Sequence, residues 1–489
     1  MDRYLSEKSK ANARLVATWI LAACSGCASS RSFEHPQNAS PARIILSVYQ
    51  NDAHSEEAAA SADGSRDVDD ESRDVRDQTN ASEDAPMNVY HVLAVETCVQ
   101  IAIESHPKIT AAQARVVAAR SRIPQVKALP DPMLDNMFWP IQSNSLQTAG
   151  GRMQDQFSLT QQVPWPEKLR ARAEIACREM QIAQAEVESL EREIAETVRL
   201  AYYEIWYADR GTNIVRENQK LVANLIKTAE ARYKTGGSQQ DVLNAEIERE
   251  RLQQQLLEFS RERAIAETEL ATYLQQPQSL NIQTEAELPL KDLPKQLDIL
   301  IATAEQCNPE LRGLAMQIQR DIQKQRLAYL QRYPDLQFGT QYGFMSRGGA
   351  LSPVADGNDM ISFSVGVTLP VWRDKIRGGI DEAFAMRTNS AQLRQSEQLT
   401  IEGRLRRLLA EIDSLDQQRI LYADRILPRS EQALNIAMSE YTVNKTTFVQ
   451  LTENYQELLL FQLQIARLDA TLASRLAQLQ RTVGCPVEM

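Results

Sequence analysis

The sequence predicts a mainly α-helical chain with a smaller β portion that crosses a membrane. The chain repeats itself after about 200 residues, and in each copy long segments carry apolar residues at heptad spacing. Shorter segments beside them alternate between apolar and polar residues, as membrane-spanning strands do. The predicted unit is therefore helix, strand, strand, long helix and helix, present twice.

The first residues of the chain have the features of an export signal. Basic side chains precede an apolar run from Leu15 to Ala23, which is too short to span a bilayer as a helix. The run ends in Leu21-Ala22-Ala23-Cys24, and small residues before a cysteine resemble the lipoprotein processing box. We predict a lipoprotein signal peptide over residues 1–23 and acylation of Cys24. The alternatives are ordinary signal-peptidase cleavage, a buried N-terminal helix with an incidental cysteine, and Cys27 as the acceptor.

An acidic segment follows the signal. Asp, Glu, Ser and Ala dominate between about residues 28 and 87, as in Asp67-Val68-Asp69-Asp70-Glu71, and large apolar residues are scarce. Such a composition cannot bury enough apolar surface to fold. Residues 24–88 are therefore predicted to be a lipidated N-terminus and a disordered tether.

Three landmarks establish the duplication. His106-Pro107 matches Asn308-Pro309, and Val163-Pro164-Trp165 matches Leu369-Pro370-Val371-Trp372. A third pair, around Tyr233 and Tyr441, keeps nearly the same separation of about 208 residues. Because the offsets are nearly constant, we predict two repeats, over residues 89–285 and 286–489.

Helices account for most of each repeat. The segment from Pro166 to about Tyr233 has no interior proline, and at about 1.5 Å per residue it would form a helix on the order of 100 Å long. A coiled-coil seam marks the second copy at Ile401, Leu405, Leu408, Ile412, Leu415, Tyr422 and Ile426, with Arg419 in one slot. The shorter predicted helices are Val92 to Lys127, Ser238 to Leu274, Leu297 to Arg332 and Thr446 to Arg481.

Strands are predicted at the other end of the long helices. Ile361 to Leu369 and Leu336 to Phe344 alternate apolar with polar or glycine residues, and weaker equivalents are Met133 to Ile141 and Gln156 to Val163. A half-buried sheet on a soluble domain would show the same alternation. Four strands cannot enclose a water-filled lumen, so several chains must contribute. Three chains would give twelve strands, although strand count alone also allows an eight-stranded dimer.

Composition excludes several functions. A net charge of −11 argues against nucleic acid as a partner. All four histidines lie before residue 107, and no G-x-S-x-G, Walker or HExxH motif is present, so we predict no enzyme, no cofactor and no metal centre. Met133, Met137 and Met153 do not predict a copper path, because spacing cannot establish that thioethers converge. Spacing also pairs none of Cys98, Cys177, Cys307 and Cys485, and we predict no disulfide.

Together these motifs resemble the outer-membrane efflux protein family, the TolC-like channels, over about residues 90 to 483. The resemblance rests on the paired helix starts ending in His106-Pro107 and Asn308-Pro309, the turn Thr368-Leu369-Pro370-Val371-Trp372, and the turns after Tyr233 and Tyr441. It implies a trimeric, twelve-stranded outer-membrane β-barrel joined to a periplasmic α-helical barrel. It also implies that the channel conducts substrates passively, and that a periplasmic adaptor protein connects it to an inner-membrane pump. Drugs or heavy-metal cations are among the substrates that the resemblance implies.

The resemblance places the adaptor contacts at the two helical turns. These are Thr235, Gly236, Gly237 and Ser238 in copy one and Val443, Asn444, Lys445 and Thr446 in copy two; a solvated turn is the alternative. Gly236 and Asn444 suit the left-handed conformation at a helix end, and Ser238 suits an N-cap. Asp241 is a candidate aperture carboxylate, or only complements the helix N-terminus. The alternative functions are a periplasmic adaptor and a coiled-coil envelope scaffold.

Overall fold

A computed structural model describes residues 91–92, 94–140, 147–148, 151–275, 282–288, 290, 296–346, 358–443 and 445–485. The predicted signal peptide, Cys24, the tether and Asn444 lie outside the described residues. The helices are α1 Val95–Ser105, α2 Pro107–Lys127, α3 Pro166–Lys234, α4 Gln239–Tyr273, α5 Leu297–Cys307, α6 Pro309–Leu330, α7 Arg373–Leu421, α8 Leu427–Thr442 and α9 Phe448–Val483. The strands are β1 His91–Val92, β2 Met133–Phe138, β3 Gln147–Thr148, β4 Gly151–Val163, β5 Ile282–Gln283, β6 Leu336–Ser346 and β7 Met360–Val367.

The long helix α3 organises the helical part. It runs unbroken for 69 residues, as predicted, and at about 1.5 Å per residue measures on the order of 100 Å. It packs against α2 and α6, against α4, and against α9. Of the predicted seam residues of the second copy, Ile401, Leu405, Leu408 and Ile412 on α7 are buried.

In the second repeat the long helix is interrupted. A π-helical segment, Tyr422–Ile426, separates α7 from α8, and Pro428 lies in the first turn of α8. Proline lacks the N–H that donates to the preceding turn of an α-helix. The interruption therefore lies directly before this proline. The seam residues Tyr422 and Ile426 are half-buried within this segment.

The predicted helices Val92 to Lys127 and Leu297 to Arg332 are each two helices. The breaks fall at His106-Pro107 and Asn308-Pro309, because a residue before proline is forced into extended backbone. There His106 Nδ1 accepts from the Lys108 N–H, while Asn308 Oδ1 accepts from the N–H groups of Glu310 and Leu311. Each break is thus also a capped helix start.

The prediction of no disulfide is wrong for Cys307 and Cys485. The end of α5 meets the end of α9, and the two cysteines, 178 residues apart with Cα atoms 5.7 Å apart, form a disulfide. The Asn308 side-chain amide also donates to the Thr482 carbonyl over 2.8 Å at this junction. Of the cysteines in the described part of the chain, Cys98 and Cys177 are free.

The four predicted strands form one antiparallel sheet in the order β2-β4-β6-β7, and the short strand β3 pairs with β4. The strands from the two repeats meet where β4 pairs with β6. The sequence did not predict β1 and β5, which form a separate two-stranded parallel pair. Among the described residues, no helix is both long and apolar enough to cross a membrane.

Candidate functional site

The strand register places apolar side chains of all four strands on one face of the sheet. Phe157, Tyr342 and Ile361 lie in one row with the polar Asn136, and Leu134, Leu159, Thr340 and Phe363 lie in the next. Phe363 is 77% exposed and Val365 68%, so the described part of the protomer leaves this face uncovered. We call this surface the apolar face.

The opposite face carries polar side chains, glycines and methionines. Asp135, Ser158, Gln341 and Ser362 form one row across the four strands, and Thr160, Gly339 and Ser364 form part of the next. We call this surface the polar face. A sheet with one lipid-compatible face and one water-compatible face can separate a bilayer from an aqueous lumen.

In the part of the protomer that the structure describes, both edges of this sheet are open. Among the described strands of the sheet, β2 pairs only with β4 and β7 pairs only with β6. An open edge presents unpaired N–H and C=O groups, which are costly in lipid. The sheet therefore needs another strand at each edge before it can enter a bilayer.

A buried lysine holds the junction between sheet and helices. Lys168, only 2% exposed, donates to Asp335 Oδ1 and to the Tyr333 carbonyl, each over 2.9 Å. Burial alone would raise the pKa of Asp335. Hydrogen bonds from Lys168 and the Trp165 N–H, with the nearby positive charges, outweigh burial and lower that pKa. Because Lys168 lies in the first turn of α3 and Asp335 precedes β6, the contact fixes the two repeats together below the sheet.

The first predicted turn lies at the end of α3 remote from the sheet. Gly236 has φ of 101°, the left-handed region that favours glycine, and the Gly237 N–H donates to the Arg232 carbonyl over 2.8 Å. Ser238 accepts from the Gln240 N–H and caps α4. Thr235, Gly236 and Ser238 are exposed and Gly237 is half-buried.

The second turn closes in the same way between α8 and α9. The N–H groups of Val443 and Lys445 both donate to the Glu440 carbonyl. Val443 and Lys445 are exposed and Thr446 is half-buried, while Thr447 caps α9 by accepting from the Gln450 N–H. We call the two turns together the helical tip.

One hydrogen bond joins the two turns. The Tyr441 hydroxyl donates to Asp241 Oδ2 over 2.9 Å, and the Arg232 guanidinium lies 4.1 Å from the centre of the Tyr441 ring. The candidate carboxylate Asp241 is therefore half-buried and held by a tyrosine of the other repeat. Neither Tyr441 nor Arg232 was predicted to be a tip residue, although both lie beside the predicted turns.

Burial and the neighbouring carboxylate keep the Tyr441 hydroxyl protonated. Burial raises its pKa most, the hydrogen bond to Asp241 and the charge of that carboxylate add to the rise, and Arg232 opposes it, giving a pKa of about 12. Tyr441 is also packed edge-on against Phe448, with ring centres 5.6 Å apart. The donor is thus fixed in position and in protonation state.

Both repeats of the chain match a known protein family. The family described as outer membrane efflux protein matches residues 98–275 and again residues 300–485. This chain belongs to the outer membrane efflux protein family. The family places the chain in the outer membrane, as the channel component of an efflux system and not an enzyme. The match does not favour the adaptor or scaffold alternatives.

Solved structures of outer-membrane proteins share the fold. The Vibrio cholerae outer membrane protein VceC is 18% identical, with 81% of this chain and 97% of that chain covered and a TM-score of 0.66. CusC is 15% identical, with 80% and 92% covered and a TM-score of 0.68. The Neisseria gonorrhoeae MtrE outer membrane channel is 16% identical, with 80% and 89% covered and a TM-score of 0.64. No curated protein matches the chain.

Proposed function

We propose that three copies of this efflux protein close a twelve-stranded β-barrel in the outer membrane above a periplasmic α-helical barrel, and that this duct conducts substrates passively. The observation that carries the proposal is the sheet, in which four strands align one apolar and one polar face and leave both edges open. The edges β2 and β7 come from different repeats. Joining them head to tail forms a ring of identical contacts.

The width of the lumen favours three copies over two. Eight strands leave an interior just wide enough for side chains to fill it. The polar face here carries Ser, Thr, Gln and Asp side chains, three glycines (Gly339, Gly343 and Gly366) and five methionines, and its polar side chains suit a surface that borders water. Twelve strands provide room for that water.

Several helices also carry apolar side chains that the described part of the protomer leaves exposed. In the described part of the chain α4 packs mainly on α3, and it carries exposed apolar residues at Leu243, Ile247, Leu257 and Ile265. On the other side of the protomer α7 and α8 carry exposed Leu393, Leu399, Ile420 and Ile436. Exposed apolar surface of this kind marks interaction sites. Covering these side chains with a neighbouring copy would continue the helical layer into a closed barrel.

We infer that the helical tip meets a periplasmic adaptor, which connects the channel to an inner-membrane pump that supplies the energy. The exposed residues Thr235, Gly236, Ser238, Val443 and Lys445 at the far end of α3 support this role, together with Gly237, Asn444 and Thr446 of the same turns. Asp241 serves as the acceptor that holds the tip closed through Tyr441.

The N-terminal segment would add a second attachment to the outer membrane. We propose that residues 1–23 are a lipoprotein signal peptide, that Cys24 is acylated, that residues 24–88 are the tether, and that the repeats span 89–285 and 286–489. Small residues before Cys24 and the acidic composition after it support this division. Intact-mass analysis of the purified protein tests it: acyl chains on a chain beginning at Cys24 are expected, and an unmodified N-terminus would refute the anchor.

Conductance tests the channel proposal. Protein purified from the outer membrane and added to a planar bilayer in potassium nitrate should give uniform conductance steps. Variants with an opened tip, described below, should give larger steps. A protein that inserts as a trimer but passes no ions in either form would contradict the duct, and a protein that never inserts would contradict the barrel.

A further inference from the structure

The sheet gathers methionines that the sequence scatters. Of the twelve methionines in the chain, five lie in its strands. The register places all five on the polar face: Met133, Met137, Met153, Met345 and Met360. Spacing along the chain could not establish this convergence, because it depends on how four strands from two repeats pair.

The distribution of apolar residues over the two faces shows that these methionines do not belong to the face that would contact lipid. In β2, β4, β6 and β7 as described, the apolar face carries leucine, isoleucine, valine and phenylalanine but no methionine. The polar face of the same strands carries methionine and none of those four residues. A residue chosen only for hydrophobicity would occupy the face that borders lipid.

Four of the five methionines form a cluster near the outer end of the sheet. Met137 and Met360 lie in one row with Gln156 and Gly343 between them. Met153 pairs directly with Met345. We call Met137, Met153, Met345 and Met360 the methionine cluster.

Gly343 makes room for one thioether at the centre of the cluster. A Cβ atom at Gly343 would lie 3.1 Å from Met153 Cε and 3.6 Å from its sulfur, so the Met153 side chain lies over the glycine. Met153 is only 2% exposed, whereas Met137 is 60% exposed and Met360 44% exposed. One sulfur is therefore held in place beside others that remain open to the lumen.

Thioether sulfur is a soft ligand that selects Cu(I) and does not favour hard cations such as Mg²⁺. We propose that the methionine cluster binds soft monovalent metal cations, Cu(I) and Ag(I), as they pass through the lumen. This inference rests on the proposed function, because the polar face borders a lumen only in the closed barrel. It extends that function by naming a class of substrate.

The arrangement suits passage more than storage. Conduction needs sites that bind well enough to attract an ion and weakly enough to release it. Met133, two rows nearer the helices, extends the thioether surface beyond the row that contains Asp135. In the closed barrel β7 of one protomer lies beside β2 of the next, so Met360 would approach the strand that carries Met133 and Met137. The thioethers of neighbouring protomers would then lie close to one another.

Silver ion is the probe, because it is soft, monovalent and stable to oxidation. The parent protein has Cys27, Cys98 and Cys177 replaced by alanine, so that these thiols do not compete for silver. It is compared with a variant that also carries M137L, M153L, M345L and M360L. Met386→Leu, an exposed methionine on α7, is the matched control. Silver binding is measured on the detergent-solubilised protein, and block of conductance in potassium nitrate is scaled to each variant's own potassium conductance.

The parent and M386L are expected to bind silver and to be partly blocked by it, and the fourfold variant should bind about tenfold or more weakly. X-ray absorption of the silver-loaded parent should show sulfur neighbours only. If the parent and the fourfold variant bind silver equally, or if silver has only nitrogen and oxygen neighbours, the methionine proposal is overturned. Potassium conductance in the same proteins would still support the duct. Loss of potassium conductance in the parent would instead refute the duct. If the fourfold variant does not fold, M137L/M360L on the exposed pair gives the same comparison.

Discussion

The Tyr441 hydroxyl donates a 2.9 Å hydrogen bond to Asp241 across a sequence separation of 200 residues. Tyr441 lies in the last turn of α8, and Asp241 lies in the first turn of α4. The bond therefore ties the second repeat to the first at the end remote from the sheet. Arg232 covers the tyrosine ring and holds it in place.

Removing this hydroxyl should loosen the helical tip. Tyr441→Phe keeps the ring that packs on Phe448 and Arg232 but leaves Asp241 without its donor. A hydrogen bond to a charged group contributes about 1.5–3 kcal/mol, so the open population should rise about tenfold or more. Larger single-channel conductance is expected from Tyr441→Phe and from Asp241→Asn, while Tyr233→Phe, an exposed neighbour, should behave as wild type. Unchanged conductance in Tyr441→Phe would show that the bond does not hold the tip.

The same bond should be insensitive to pH in the neutral range. The pKa of Tyr441 is raised to about 12, above the value of about 10 for an unfolded tyrosine. Because the pKa is raised, the stabilisation that the protonated hydroxyl provides is complete below about pH 10. It is lost only as the pH rises through the pKa of Tyr441 in the folded protein. The ratio of Tyr441→Phe to wild-type conductance should therefore stay constant between about pH 6 and pH 9. A ratio that falls toward one across that range would mean that Tyr441 titrates there.

Periodicity along the chain predicted the elements that depend on local pattern. The proline-free heptad stripe gave α3 to within a residue, and the strict alternation of Ile361 to Leu369 gave β7 and its apolar face. Ser238 acts as the predicted N-cap, because capping involves only neighbouring backbone groups. The breaks at His106 and Asn308 were readable from the following prolines, although we predicted continuous helices there.

Features that join distant parts of the chain could not be predicted. The Cys307–Cys485 disulfide, the Tyr441–Asp241 bond and the shared face of Met153 and Met345 each depend on which elements pair. Strand pairing and helix packing are set by the whole core, and one sequence shows them only as separate patterns. The methionines are the clearest case. The alternation of apolar and polar residues along each strand was visible in the sequence, but the pairing of β4 with β6 between the two repeats was not.

The disulfide should stabilise the protomer. It closes a loop between residues 178 apart, and a native disulfide typically contributes about 2–5 kcal/mol by restricting the unfolded chain. Cys307→Ser and Cys485→Ser should each lower the midpoint of thermal unfolding by the same amount, and the double variant should lower it no further. Cys177→Ser, at a free half-buried thiol, is the control. A reductant that leaves wild-type unfolding unchanged would contradict the prediction.

An added positive charge should have different consequences on the apolar face and on the polar face of the sheet. Phe363→Arg places a cation on the apolar face, where it is expected to cost about 2–4 kcal/mol near the centre of a bilayer. The neighbouring Ser362→Arg places the same charge on the polar face. We expect Phe363→Arg to reduce the yield of folded protein in the outer membrane, and Ser362→Arg to insert normally with altered ion selectivity. Equal losses of yield would contradict the assignment of faces.

The stoichiometry of the membrane-extracted protein tests the central claim most directly. One protomer supplies four strands of the main sheet with two open edges, and three protomers are needed to close a twelve-stranded barrel. Light scattering after size exclusion, corrected for bound detergent, should give three times the mass of the mature chain. A mass of two chains would support an eight-stranded barrel instead, and a monomer that stays in solution without detergent would contradict the channel.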